Sequence, residues 1–177
     1  TLQCYQNQLA TLNVSDCTAL TELQCSQNQL TTLDLSASSA LNTLDCSQNQ
    51  LTTLDLSANS ALNTLDCSQN QLATLNVSNC AALAKLLCYG NKLATLDVSV
   101  CPSLEELQCF NNQLTTLDLS KNTKLTTLYC YQNRIKDEAM DALVESLPTV
   151  DEGVLRVISN VNEQNVMMAA QVASAKA

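Results

Sequence analysis

Residues 54–70, LDLSANSALNTLDCSQN, carry one phrase twice: Leu54-Asp55-Leu56-Ser57-Ala58-Asn59 is answered by Leu65-Asp66-Cys67-Ser68-Gln69-Asn70. The second phrase then recurs along most of the chain. Asn7, Asn28, Asn49, Asn70, Asn91, Asn112 and Asn133 keep one 21-residue step, as do Cys4, Cys25, Cys46, Cys67, Cys88, Cys109 and Cys130. Leu23, Leu44, Leu65, Leu86, Leu107 and Leu128 share it, and so do Leu12, Leu33, Leu54, Leu75, Leu96 and Leu117. The consensus LxxLxCxxNxLxxLDLSxxxx holds its register through seven rungs without an insertion. A fixed period of this length is the signature of a coil in which every turn is one repeat.

Within each repeat, Leu and Cys at alternating positions predict a short parallel strand that buries them and turns the intervening residues outward. The following Asn has donors and acceptors enough to satisfy turn backbone between coils. One coil cannot bury its apolar face alone, so neighbours stack at about 4.8 Å and share a core. The echo in the other half predicts a second, weaker strand or extended run, with Val14, Leu35, Leu56, Val77, Val98 and Leu119 inward.

These motifs resemble the short bacterial leucine-rich repeats of surface and secreted proteins, including the cysteine-containing internalin type and those of gut Bacteroides. The resemblance covers residues 1–133 and implies an α/β, mostly β solenoid. It also implies a binding module for a protein ligand, and a place outside the cell or on its surface. It names no ligand.

After Asn133 the period breaks. Met140, Leu143, Val144 and Leu147 follow the spacing of an amphipathic helix, with Asp137 and Glu138 in its first turn and Pro148 to stop it. Leu155-Arg156-Val157-Ile158-Ser159-Asn160 re-enters the strand frame, its Asn falling later than one period after Asn133. Residues 134–160 therefore read as one longer, helix-containing repeat, similar to the ribonuclease-inhibitor type. A last helix over about 163–176 completes a C-terminal cap spanning 134–177. The first residues already lie in a repeat and the last end abruptly, so both ends read as trimmed.

The 177 residues carry a net charge of -9, which excludes a nucleic-acid backbone as partner, and no apolar run is long enough to insert into a membrane. Ten Cys invite thoughts of bridges or metal, but there is no His and no CxxC pair. Seven of them hold an inward slot that Leu or Val would fill as well, and in-register side chains point wrongly for a disulfide. Cys17, Cys80 and Cys101 occupy the Asn-like slot of the second half, and the pairing of neighbours Cys80 and Cys101 is left open. No cofactor or metal is expected.

Function belongs to outward positions. All five aromatic residues, Tyr5, Tyr89, Phe110, Tyr129 and Tyr131, fall on the strand face. Tyr89, Phe110 and Tyr131 form one column, with Leu87, Gln108, Tyr129 and Arg156 beside it. Grouped aromatics favour a protein or glycan ligand, and the competing reading is a cross-strand stack that only stabilises the coil. A structural spacer within a larger surface protein is the alternative for the whole chain. On the opposite face, columns of Thr and of Asp or Asn invite ice or calcium readings, but a solvated strand surface and local backbone bonding account for them. Asn13-Val14-Ser15 and Asn76-Val77-Ser78 match the glycosylation sequon as ordinary rungs of that column. An enzyme fares badly: without His, the sole carboxylate pair on the strand face is Asp45 and Asp66, on an open sheet with no pocket.

Overall fold

Leucines at 21-residue steps become a stack of short parallel strands in the computed structural model, which describes residues 1–149, 153–157 and 164–167. The strands are β1 Leu2–Gln3, β2 Glu22–Gln24, β3 Thr43–Asp45, β4 Thr64–Asp66, β5 Lys85–Leu87, β6 Glu106–Gln108, β7 Thr127–Tyr129 and β8 Val154–Arg156. One helix among the described residues, α1 Glu138–Ser146, lies between β7 and β8. The strands form a single sheet in chain order. Leu23 pairs with Leu44, Leu44 with Leu65 and Leu65 with Leu86, and the register does not slip. The Leu and Cys columns are 0% exposed through the middle coils.

The strands are short because a side-chain amide takes over where the ladder ends. Asn49 donates through Nδ2 to the carbonyls of Cys46 (3.1 Å) in its own coil and Cys25 (3.0 Å) in the preceding one. Its Oδ1 accepts from the Leu30 N–H at 3.0 Å. Asn28, Asn70, Asn91, Asn112 and Asn133 repeat this pattern rung by rung. The residue before each Asn sits in the left-handed region, with φ of 52–55° at Gln6, Gln27, Gln48, Gln69, Asn111 and Gln132 and 66° at Gly90. A non-glycine residue there costs about 1 kcal/mol. The turn it makes lets the Gln27 and Gln48 N–H groups reach the next coil's Ser47 and Ser68 carbonyls at 3.0 and 2.9 Å.

The second half differs from the sequence expectation. Val14, Leu35, Leu56, Val77, Val98 and Leu119 are buried as expected, but no strand forms there among the described residues. The Asp or Asn of each coil accepts the N–H of the Ser two residues on, as Asp55 does from Ser57 at 2.9 Å and Asn76 from Ser78 at 2.9 Å. An N–H held by a local side chain is lost to an inter-coil ladder. Consecutive i→i+3 turns follow, Asn59 N–H to Leu56 O and Leu62 N–H to Asn59 O. In this half Asn59 uses only one end of its amide. Nδ2 donates to Ser38 O at 2.9 Å, while Oδ1 is buried without a partner. That half-used slot explains why Ser and Cys also occupy it.

α1 buries Met140 and Leu143 fully, with Val144 and Leu147 packed at the core edge. Leu147 turns to extended backbone before Pro148, as the residue before a proline must. β8 pairs with β7 across the longer repeat (Leu128 with Leu155), and Val157 takes the Cys slot at 5% exposure. Leu155, expected inward, is 37% exposed on the last described rung. The Asn expected at 160 is replaced in its role. Asn165 donates to Cys130 O (2.9 Å) and Val157 O (2.7 Å) and accepts from the Ile135 N–H (2.9 Å). The carbonyl of Cys130 needs an amide at one point in space, and the longer repeat delivers it five positions later than the frame predicts. Of the helix expected over 163–176, residues 164–167 are not helical and the rest lies outside the described residues, as does Asn160.

All ten cysteines are free thiols, eight of them buried, with Cys4 and Cys17 partly exposed. Cys80 and Cys101 are not bridged. Burial pushes Cys25 and Cys109 up to about 12 and Cys101 to about 11. The ladder thus consists of small neutral hydrophobes. A thiol reagent applied to the folded protein will label Cys4 and Cys17 and leave the other eight until denaturant is added; mass spectrometry reads the count. Replacing Asn70 with Leu strands the Leu51 N–H and takes one of two amide donors from each of the Cys46 and Cys67 carbonyls, which keep Asn49 and Asn91, so urea unfolding should register a loss of roughly 1–3 kcal/mol.

Candidate functional site: the strand face of the last four coils

The sheet register brings the sequence-selected residues together. Leu87 pairs with Gln108, Gln108 with Tyr129 and Tyr129 with Arg156, so these four form one row across β5–β8. Two residues further on, each after a ladder Cys, Tyr89, Phe110 and Tyr131 form a second row. The register therefore places all seven residues on one surface.

The rings stack. Tyr89 and Phe110 have centroids 4.4 Å apart and planes within 7°, and Phe110 and Tyr131 4.6 Å and 12°. This spacing is slightly tighter than the coil step of about 4.8 Å, so identical slots on successive coils hold the rings parallel. All three are half-buried. Both faces of Phe110 and one face each of Tyr89 and Tyr131 are covered by a neighbouring ring, and between them the column presents ring edges. The competing sequence reading, a stack that braces the coils, is thus present in the geometry, contributing about 0.5–1.5 kcal/mol per pair. Tyr129 carries the Arg156 guanidinium 5.1 Å from its ring centroid. Tyr5, the fifth aromatic, stands apart on the first coil at 46% exposure.

The row before Leu87 contains a Lys85–Glu106 ion pair at 2.8 Å, with Gln108 donating to the same Glu106 at 2.6 Å. Partly exposed, that pair adds little stability, but it consumes the one acid of β5–β8 among the described residues. Charge is distributed unevenly along the chain. No Lys or Arg precedes Lys85, whereas Asp16, Glu22, Asp34, Asp45, Asp55 and Asp66 all do. Lys92 and Arg134 occupy a column held elsewhere by Gln8, Gln29, Gln50, Gln71 and Gln113, three residues past Tyr89 and Tyr131. Both are exposed; Lys92 reaches Gln71 Oε1 at 3.1 Å and Arg134 reaches Gln164 Oε1 at 3.3 Å. Neither they nor Arg156 faces a carboxylate among the described residues. Sequence reading selected Arg156 and missed the other two. The signal was the stretch before Lys85, barren of any cation.

The middle coils offer no chemistry. Asp45 accepts both the N–H (3.1 Å) and the hydroxyl (2.7 Å) of Ser47, and Asp66 those of Ser68 (3.0 and 2.6 Å). Both carboxylates are committed to their own turns. On the opposite face the hydrogen bonds from the next Ser hold Asp34, Asp55, Asp97 and Asp118 below the usual carboxylate range. The sequon asparagines Asn13 and Asn76 make the same turn. A shallow groove between coils there is lined by Thr74, Asn76, Thr95, Asp97 and Val100.

With this geometry the chain is a leucine-rich-repeat solenoid similar to the bacterial internalin type. No protein-family model and no curated protein matches it. Among solved structures it is similar to the functional domain of InlJ from Listeria monocytogenes, which includes a cysteine ladder; the two are 36% identical with a TM-score of 0.76 over 93% of this chain and 37% of that one. A leucine-rich-repeat protein of Leptospira interrogans is 23% identical (TM-score 0.76, 97% of this chain and 45% of that one). Internalin C2 of Listeria monocytogenes is 22% identical (TM-score 0.67, 92% and 76%), and these two likenesses concern the fold. The chain spans less than half the length of the first two. No helix among the described residues is long and apolar enough to cross a membrane.

Burial pushes the Asp66 carboxyl up, with the Ser68 hydrogen bonds opposing and the Asp45 charge adding to the rise. A raised folded-state value means the folded protein holds this proton more tightly than the unfolded chain. Its contribution to stability is then greatest below the unfolded value and falls as pH rises through the folded one. An Asp66→Asn variant keeps an acceptor for Ser68, as Asn76 does for Ser78. Urea midpoints should show it more stable than the parent at pH 7, with the gap closing towards pH 3.

Proposed function

We propose that the strand face of β5–β8 is a non-catalytic protein-interaction surface anchored by the Tyr89–Phe110–Tyr131 stack, in a protein that works outside the cell or on its surface. The observation that carries this is the half-buried three-ring stack with Leu87 and Tyr129 beside it, on a face whose middle coils present Thr, Asp and Ser. Rigid aromatics bury large area at little cost in side-chain freedom, which is why they concentrate at interaction sites. Leucine-rich-repeat solenoids serve as protein-binding scaffolds, and the likeness to internalins supports the same use here. Because the rings cover one another's faces, a sugar ring has no open face within the column to lie on. Ring edges and side chains suit a protein partner better than a glycan. The resemblance to surface and secreted repeat proteins supports the location.

The test is a binding comparison on an array of purified secreted and cell-surface proteins, with a glycan array alongside. The Tyr89→Ser/Phe110→Ser/Tyr131→Ser variant should lose at least tenfold in affinity for whatever protein the parent binds, while Asp45→Asn/Asp66→Asn binds as the parent does. A variant that only melts earlier and binds unchanged would reduce the stack to an internal brace. Parent binding confined to glycans would overturn the choice of protein.

A further inference from the structure

Three cations have no carboxylate facing them among the described residues of this chain of net charge -9: Arg156 over the Tyr129 ring, and Lys92 and Arg134 three residues past Tyr89 and Tyr131 in their coils. Glu106, the acid nearest to them on the face, is already held by Lys85 and Gln108. An acidic protein would ordinarily pair its few basic groups with its many acids. Here the basic groups are instead placed where they meet whatever covers the rings. Lys92 and Arg134 lie two coils apart, about 10 Å, which matches three residues of chain in the polyproline II form, whose period of three turns every third side chain to the same side.

From this we infer that the partner presents an extended acidic segment, with a carboxylate at about every third residue and apolar side chains between. Its carboxylates meet Lys92, Arg134 and Arg156, and its apolar side chains lie against the ring edges. This rests on the reading of β5–β8 as an interaction surface. An anionic polysaccharide could answer the charges, but the ring faces turned towards one another leave its sugar rings no place to stack inside the column, so the acidic peptide is the better fit.

The probe is a capped peptide of four Glu-Pro-Leu triplets, compared with Gln-Pro-Leu and Lys-Pro-Leu versions and with chondroitin sulfate. The chain has no Trp and four Tyr, three of them in the site, so tyrosine emission reports binding where it is proposed, and fluorescence anisotropy of a labelled peptide checks it. The Glu peptide should bind at least tenfold tighter than the Gln peptide at low salt, and weaken as salt rises from about 50 to 300 mM. A Lys92→Gln/Arg134→Gln/Arg156→Gln variant should lose that preference. It will fold, because Gln already fills the 92 and 134 column in five other coils. Equal binding of the Glu and Gln peptides, or no binding of either, would overturn the inference. So would an unchanged preference in the Gln variant, or tighter binding of chondroitin sulfate than of the peptide. Glu-peptide binding abolished by the Ser substitutions in the stack yet untouched by the Gln variant would sink the acidic partner while leaving the aromatic surface standing.

Discussion

Everything in this molecule hangs on a primary amide placed between two coils. The strands are two or three residues long, too short to hold a sheet by their own ladder, and each coil turns away where its Asn stands. At that corner the backbone of two coils has carbonyls and an N–H with no strand left to satisfy them. One Asn side chain supplies both donor hydrogens and an acceptor. Leaving such groups unmet inside a protein costs more than making the bonds gains, so the amide is obligatory where the hydrophobic slots are negotiable. Cys, Val and Leu exchange in the apolar columns, and Asn, Ser and Cys exchange in the slot of the second half where an amide is only half used. The corner Asn does not exchange, and even the irregular last repeat brings Asn165 back to it.

Once the scaffold is accounted for, little of the chain is left to be specific. The scaffold fixes inward residues and turn residues alike, and it leaves the strand face free to vary. In coils three and four that freedom is unused, with Thr, Asp and Ser folded into local hydrogen bonds. From Lys85 onward the face changes character: rings, a leucine, an ion pair and three cations appear together over four strands. Their alignment follows from the same register that stacks the leucines, so one device supplies stability and sets the outward side chains at fixed spacing.

Much of this is legible in the sequence because a solenoid turns spacing into position. Counting by one period locates the buried Leu and Cys columns, the bridging Asn and the row from Leu87 to Tyr129, and the recurrence of the strand frame adds Arg156. What counting does not supply is orientation and chemistry within a slot. The alternation of Leu54 and Leu56 reads like a strand, but Asp55 takes the Ser57 N–H that a strand would need. Tyr89, Phe110 and Tyr131 announce a column without saying that their planes lie parallel and hide one another's faces. Asn160 satisfies the spelling of the frame, while Asn165 satisfies its geometry, a distinction invisible where the repeat length changes. Lys92 and Arg134 escape notice because each stands in a slot that consensus assigns to an unremarked Gln.

The unvarying register of the middle coils also has a genetic side. Residues 42–57 and 63–78 are nearly the same string, and nucleotide sequences coding for such strings recombine out of step. Gain or loss of one whole repeat there preserves every inter-coil bond, since each coil meets an equivalent neighbour before and after the event. The molecule then grows or shrinks by one graduation of about 4.8 Å, carrying the face of β5–β8 nearer to or farther from β1. A population of such genes would hold the contact surface constant while its reach drifts, so length becomes the trait on which selection acts most cheaply.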